Sequence, residues 1–306
     1  MLMHYREEQL LRALKKVELI ATTHKFHRML FHPFKYVFAL VYRNIFYKIT
    51  GKPYTTTTTA FYGKELHIHL PSSTDIYLTS GKAHSSEIKL ARFMISILRS
   101  GNIFVDVGAH IGYFSGLAAV LVGEEGKVFS FEPTPSTFKL LNNNTKNINQ
   151  VKTYNYIVSD EQMTKEFYEF PSQYSEYNTT CKESFIHSEW AKKVPYEVHQ
   201  ISSISLDTFF TEEGCIPNLI KIDVEGGEWS VLSGMKHHLS IGSPVVVIEY
   251  LVNSNSIYDQ CIKFMTSLQY KAYIIRQDGT LFETQDVRGY MTAHQLYLEN
   301  IVFQKG

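Results

Sequence analysis

The chain has 306 residues, 44% hydrophobic and 20% charged, with 9 Pro and 17 Gly. That composition excludes disordered, collagen-like and low-complexity chains and leaves room for one large α/β domain or two small ones. Lys+Arg 30 balances Asp+Glu 30, which excludes a protein that coats nucleic acid through its net charge, so no nucleic-acid partner is expected. Cys181, Cys215 and Cys261 form no CxxC pair, so they describe neither a disulfide framework nor a zinc cluster, and they fit a reducing compartment.

The first twenty residues carry charge throughout and lack the apolar core of a signal peptide, which gives the start a cytoplasmic character. Leu10, Leu14, Val17 and Ala21 recur at helical spacing. Residues 1–50 hold nine Lys/Arg and three Asp/Glu, a net +6, with eight aromatics from Phe26 to Tyr47. The longest uncharged run there, Tyr36 to Tyr42, has seven residues, whereas a spanning helix needs about 20. Two readings stay open for this basic and aromatic segment. It rests on an anionic membrane face as a peripheral element, or it packs its aromatics on the domain that follows. Residues 51–83 read as a short β extension. In it Leu66, Ile68 and Leu70 alternate, and Ile76-Tyr77-Leu78 forms a further short strand after the Pro71-Ser72-Ser73 break. A helix follows from His84 to Leu98.

Residues 103–107, IFVDV, end in the turn GAHIG and continue into the helical stretch YFSGLAAVLVG, the opening unit of a doubly wound α/β sheet. The next strand, KVFSFEP, brings Glu132 24 positions beyond Gly108, where an acid accepts hydrogen bonds from both hydroxyls of a ribose. A dinucleotide turn needs glycines at 108, 110 and 113, but the chain has His110 and Tyr113, and no GK[ST] closes a P-loop. Asp106 before the turn repels phosphate and favours a ligand carrying an ammonium and a sulfonium.

The segments DVGAHIGYFSGLAA, VFSFEPTPSTFKLLNNN, LIKIDVEGGEWSVLSG and PVVVIEY resemble the FkbM family of S-adenosylmethionine-dependent methyltransferases, over roughly residues 80 to 305. The resemblance implies an α/β class I methyltransferase (Rossmann-like) domain over residues 84–306: a seven-stranded, mostly parallel sheet with helices on both faces. Strands VKTYNYIVSD, NLIKIDV, PVVVIEY, YKAYIIR and ENIVFQKG complete it, the last two forming an antiparallel pair joined through the Gln277-Asp278-Gly279 turn signal. Residues 159–200 read as a lid or specificity insertion.

S-adenosyl-L-methionine is the cofactor this implies. Asp106, Gly108, Ala109, His110, Gly112 and Tyr113 would line its methionine and sugar side, Glu132 its ribose, and Ser159 and Asp160 its adenine edge. The family usually has Asn at the position of His110. Asp223 is the first candidate for the base, on the premise that burial raises its pKa. Glu225 is the second, while His84 and Glu249 are weaker candidates. No catalytic metal is expected. The reaction these residues point to is O-methylation of a sugar hydroxyl in a glycan or glycolipid. The alternatives are N-methylation of an amino sugar or small amine, and a non-catalytic module that binds a glycan or protein.

Overall fold

A computed structural model describes residues 2–24, 29–180, 186, 193–252 and 257–306. Cys181 lies outside the described residues, as do residues 182–185 and 187–192 of the 159–200 segment.

The centre of the molecule is a mixed sheet. Its parallel part contains β3 (Ile103–Val107), β4 (Lys127–Phe131), β5 (Val151–Tyr154), β9 (Leu219–Ile222) and β10 (Val245–Leu251). β11 (Tyr270–Ile275), β12 (Leu281–Thr284) and β13 (Leu298–Lys305) join it antiparallel. The strand order is β12-β11-β13-β10-β9-β3-β4-β5. Parallel strands covered on both faces must be apolar on both, and β9 is buried at every position. Alternate residues feed two cores: Phe104 and Val128 pack on one face, Val105 and Phe129 on the other.

The class matches the expectation, but the strand count does not. The Gln277-Asp278-Gly279 turn joins β11 to β12, an eighth strand, while β13 returns between β10 and β11. The stretch VKTYNYIVSD also divides. β5 stays in the main sheet, whereas β6 (Ile157–Val158) pairs with β8 (Glu197–Ile204) in a small sheet that includes β7 (Thr164–Glu169).

Before the main sheet, β1 (Tyr54–Thr59) and β2 (Glu65–Leu70) form an antiparallel pair. Ile76-Tyr77-Leu78 lies in the helix Thr74–Thr79, which corrects the expectation of a third strand. Ile76 and Thr79 are buried there at helical spacing, so tertiary packing overrides the short apolar run.

The N-terminal helix Leu2–Thr22 buries Leu10, Leu14, Val17 and Ala21 in the same core as Leu90, Phe93 and Met94 of the helix Ser85–Ile97. Glu18 pairs with Arg92 at 2.7 Å and accepts a hydrogen bond from Gln277, tying this helix to the β11–β12 hairpin. For this first helix the packing reading is therefore the correct one. Its contribution is checked by denaturant unfolding: Leu14→Ala should cost about 2 to 5 kcal/mol, and Leu19→Ala, at an exposed position, less than about 0.5 kcal/mol.

Candidate active site

The strand order reverses between β3 and β9, and a cavity of about 490 Å³ opens there at the carboxyl ends of the strands, where such sheets hold ligands. The β3 turn passes so close to β9 that a Cβ on Gly108 would come within 1.8 Å of the Asp223 carbonyl oxygen. With φ at +78° as well, only glycine fits. His110, at φ +50°, is in the left-handed region that Asn and His enter more readily than most residues.

The N–H groups of this turn are committed internally. Gly108 and Ala109 donate to the Phe131 carbonyl, Gly112 to that of Ala109, and His110 to Glu132 Oε2 at 2.8 Å. A pyrophosphate would find none of these four donors. Glu132 Oε1 accepts the Thr134 N–H at 2.9 Å, and each carboxylate oxygen keeps a lone pair for a further donor. Burial pushes the Glu132 carboxyl up to about 7, and the hydrogen bonds from Thr134 and His110 oppose that rise. Burial, with Lys82 next in importance, lowers the His110 imidazole to about 4, so it is neutral at physiological pH.

Gly108, His110, Glu132, Ser159, Asp223 and Glu225 line the cavity. The other expected cofactor residues do not. Asp106 is 1% exposed beneath the turn, accepting from Ser115 Oγ at 2.6 Å with Lys221 Nζ 3.7 Å away. Gly112 serves packing, because a Cβ there would meet Leu141 at 2.8 Å. Ala109 and Tyr113 are buried, and the Tyr113 carbonyl accepts the Tyr62 hydroxyl. Asp160 is exposed and accepts hydrogen bonds from the Ser159 and Ser233 hydroxyls. The turn folds the Asp106, Ala109 and Tyr113 side chains into the core, while Gly108 and His110 line the cavity.

Lys221 was not anticipated. Its ammonium, buried under the site, lies 3.0 Å from Asp223 and 3.7 Å from Asp106. Burial by itself would raise the Asp223 carboxyl, but Lys221, helped by Lys82, holds it below the usual aspartate value. This reverses the expectation of a raised pKa at Asp223. Next to it Glu249 is pushed up to about 10 by burial and by the negative charge of Asp223, Glu225 and Glu87, and burial also raises Glu87, to about 7. Glu249 is thus a neutral acid at pH 7 and donates a hydrogen bond to Asp223.

Oxygens of Glu87, Asp223 and Glu249 lie within 4.8 Å of one another. Lys82 answers Glu87 at 2.7 Å and Lys221 answers Asp223, so protons and ammonium groups already balance the cluster. His84, also at the cavity, contacts Ser86 Oγ at 2.6 Å, and burial lowers its pKa. The signal for Lys221 was a lone cation among apolar residues in LIKIDV. Lys82 and Glu87 gave none.

A family profile described as the methyltransferase FkbM domain matches residues 106–291. The chain belongs to the FkbM methyltransferase family. It is 26% identical over 167 residues to the hexuronic acid methyltransferase AglP of Haloferax volcanii, covering 53% of this chain and 61% of that protein. The chain thus spans about three-fifths of the length of this curated relative. Among solved structures, the FkbM methyltransferase of Methylobacillus flagellatus aligns at 13% identity and TM-score 0.41, over 76% of this chain and 52% of that one. An S-adenosylmethionine-dependent O-methyltransferase of Thermotoga maritima aligns at 14% identity and TM-score 0.41, over 85% and 81%.

The cofactor of the family is S-adenosylmethionine, and the site fits it. The floor at Gly108 has no side chain, the turn spends its N–H groups, and ionised Asp223 and a ribose-competent Glu132 give the negative potential that a sulfonium and an ammonium require. S-adenosylhomocysteine should therefore bind and raise the melting temperature, with Glu132→Ala costing about 1 to 3 kcal/mol of binding. If ionised Glu132 holds the ribose, affinity should fall as pH drops through 7, by about tenfold between about pH 8 and pH 6. Isothermal titration of the wild type and Glu132→Gln checks this. A pH dependence that persists in the variant would assign the titration to another group.

Proposed function

We propose that the chain O-methylates a sugar hydroxyl in a glycan or glycolipid, with Asp223 at the acceptor. The observation that carries this reading is an ionised Asp223, held by Lys221 and hydrogen-bonded by Glu249, in the same cavity as Glu132. The similarity to a hexuronic acid methyltransferase supports the substrate class. So do Ser72, Ser172, Ser175, Asn178 and His110, which line both the main cavity and a second cleft beside it. Hydroxyl and amide groups of this kind match a polyhydroxylated acceptor.

When bound, the cofactor supplies an electrophilic methyl group. Asp223 accepts the hydrogen bond of the acceptor hydroxyl, aligns its oxygen for in-line approach and takes its proton. Its low basicity suits the task, because an alcohol oxygen gaining a methyl becomes strongly acidic and needs only a weak base. Glu225 contributes a second carboxylate at the same edge, held by a backbone at φ +48° whose carbonyl accepts the Thr179 hydroxyl at 3.3 Å. Residues 159–200 supply Lys165, Phe167 and Asn178 to the cavity wall and act as the specificity insertion.

Asp223→Asn keeps the shape and removes the charge, so methyl transfer to uronic acid or hexose glycosides should fall by about 10²-fold or more. Product detection by mass spectrometry, alongside S-adenosylhomocysteine affinity on the same variant, separates loss of chemistry from loss of binding. Retained turnover passes the proton to Glu225 or His84.

A further inference from the structure

The segment after the first helix has a different fate from that helix. Pro33–Val41, a π-helical turn Tyr42–Phe46 and Tyr47–Thr50 form one continuous helix, about 27 Å long at 1.5 Å per residue. Its inner side is held. Ala39 and Tyr47 are buried, Lys35 Nζ sits 4.8 Å from the centre of the Tyr77 ring, and Tyr42 packs on Tyr54 and donates to the Lys52 carbonyl at 2.7 Å.

Its outer side is apolar and uncovered. Phe34, Val37, Val41, Ile45 and Ile49 recur every three or four residues, all exposed, with Phe34 at 90% and Ile49 at 78%. Leu30, at 62%, extends the patch toward the N-terminus. Such a stripe on a secured helix is costly in water and marks a contact surface. No helix among the described residues is long and apolar enough to cross a membrane.

Charge identifies the cover. From Leu19 to Lys64 the sequence contains no Asp or Glu and seven Lys/Arg. Arg43, Lys48 and Lys52 are exposed on or just beyond the helix. A second copy meeting this face across a two-fold axis would oppose cations to cations, and a neutral protein groove would leave them unanswered. An anionic lipid surface satisfies both the apolar stripe and the charge.

The position of the face also matters. Gly51 and Pro53, immediately after this helix, line the second cleft, which shares Ser72, His110, Ser172, Ser175 and Asn178 with the main cavity. We propose that the helix Pro33–Thr50 lies in the headgroup layer of an anionic membrane, its Phe34–Ile49 stripe inserted, and sets the mouth of the second cleft at the lipid surface.

The test uses the full chain in flotation with phosphatidylcholine vesicles, with and without about 30% phosphatidylglycerol. Binding should require the anionic lipid and weaken several-fold in about 0.5 M NaCl. The double variant Phe34→Glu/Ile49→Glu should reduce bound protein at least about tenfold. Both side chains are exposed, so the melting temperature should stay within about 2 °C and S-adenosylhomocysteine affinity should not change. Arg43→Glu/Lys48→Glu should reproduce the loss through charge alone. Three results would each overturn the proposal: failure of the wild type to float with anionic vesicles, unchanged flotation of the Phe34→Glu/Ile49→Glu variant, or a lipid-free dimer that this variant dissolves.

Discussion

Beneath the cavity an ammonium that water barely reaches is set between two carboxylates. Lys221 stands in β9 directly across from Asp106 in β3, and two residues further along β9 leads into Asp223. Each of these groups would be expensive to bury alone, and together they are tolerable. The arrangement decides the charge of the site. Asp223, in direct contact with Lys221, is held ionised. Asp106 lies deeper and farther from the ammonium, and burial raises its pKa against the pull of Lys221 and Ser115. It faces the lysine at 3.7 Å. With Asp223 fixed as an anion, Glu249 cannot also ionise nearby, which is why it carries a proton.

The glycine turn and Glu132 were legible in the sequence because their constraints are local. A tight strand-to-helix crossing needs a residue without a side chain, and the acid at the next strand end follows from the spacing of a βαβ unit. The close passage of Gly108 over the Asp223 backbone adds a long-range reason that no local pattern contains. Neighbours in the motif proved less informative. Asp106, Gly112 and Tyr113 belong to the same string of letters, yet the path of the turn sends them into the core, because only its backbone and alternate side chains can face one cavity.

The pairing of charges was the least legible feature. The sign of the Asp223 shift depended on Lys221, two residues away on the same strand, and on Lys82, more than a hundred residues earlier. Reasoning from burial alone predicted the wrong direction. β12 was missed for a related reason: a four-residue strand is stabilised by its partner, and the hairpin signal at Asp278-Gly279 gives no information on where β13 will insert. The first fifty residues show the same limit. Two helices with apolar stripes follow each other, and the presence of Leu90, Phe93 and Met94 opposite the first is what makes its stripe a packed one.

The charge balance of the cavity bears on how the proposed reaction could run without stranding a charge in a low dielectric. The carboxylates of the site outnumber its ammonium groups and would accommodate the one positive charge that a sulfonium donor carries. Methyl transfer removes that positive charge and releases one proton from the acceptor hydroxyl. If the proton passes to Asp223, the cavity ends with the net charge it had before, and no bare charge is created at a depth where it would cost several kcal/mol. Lys221 sets the limit on this transfer. By lowering the affinity of Asp223 for a proton, it makes the protonated state short-lived, so the carboxylate can return the proton to water once the cavity opens and resume the ionised form that attracts the next cation.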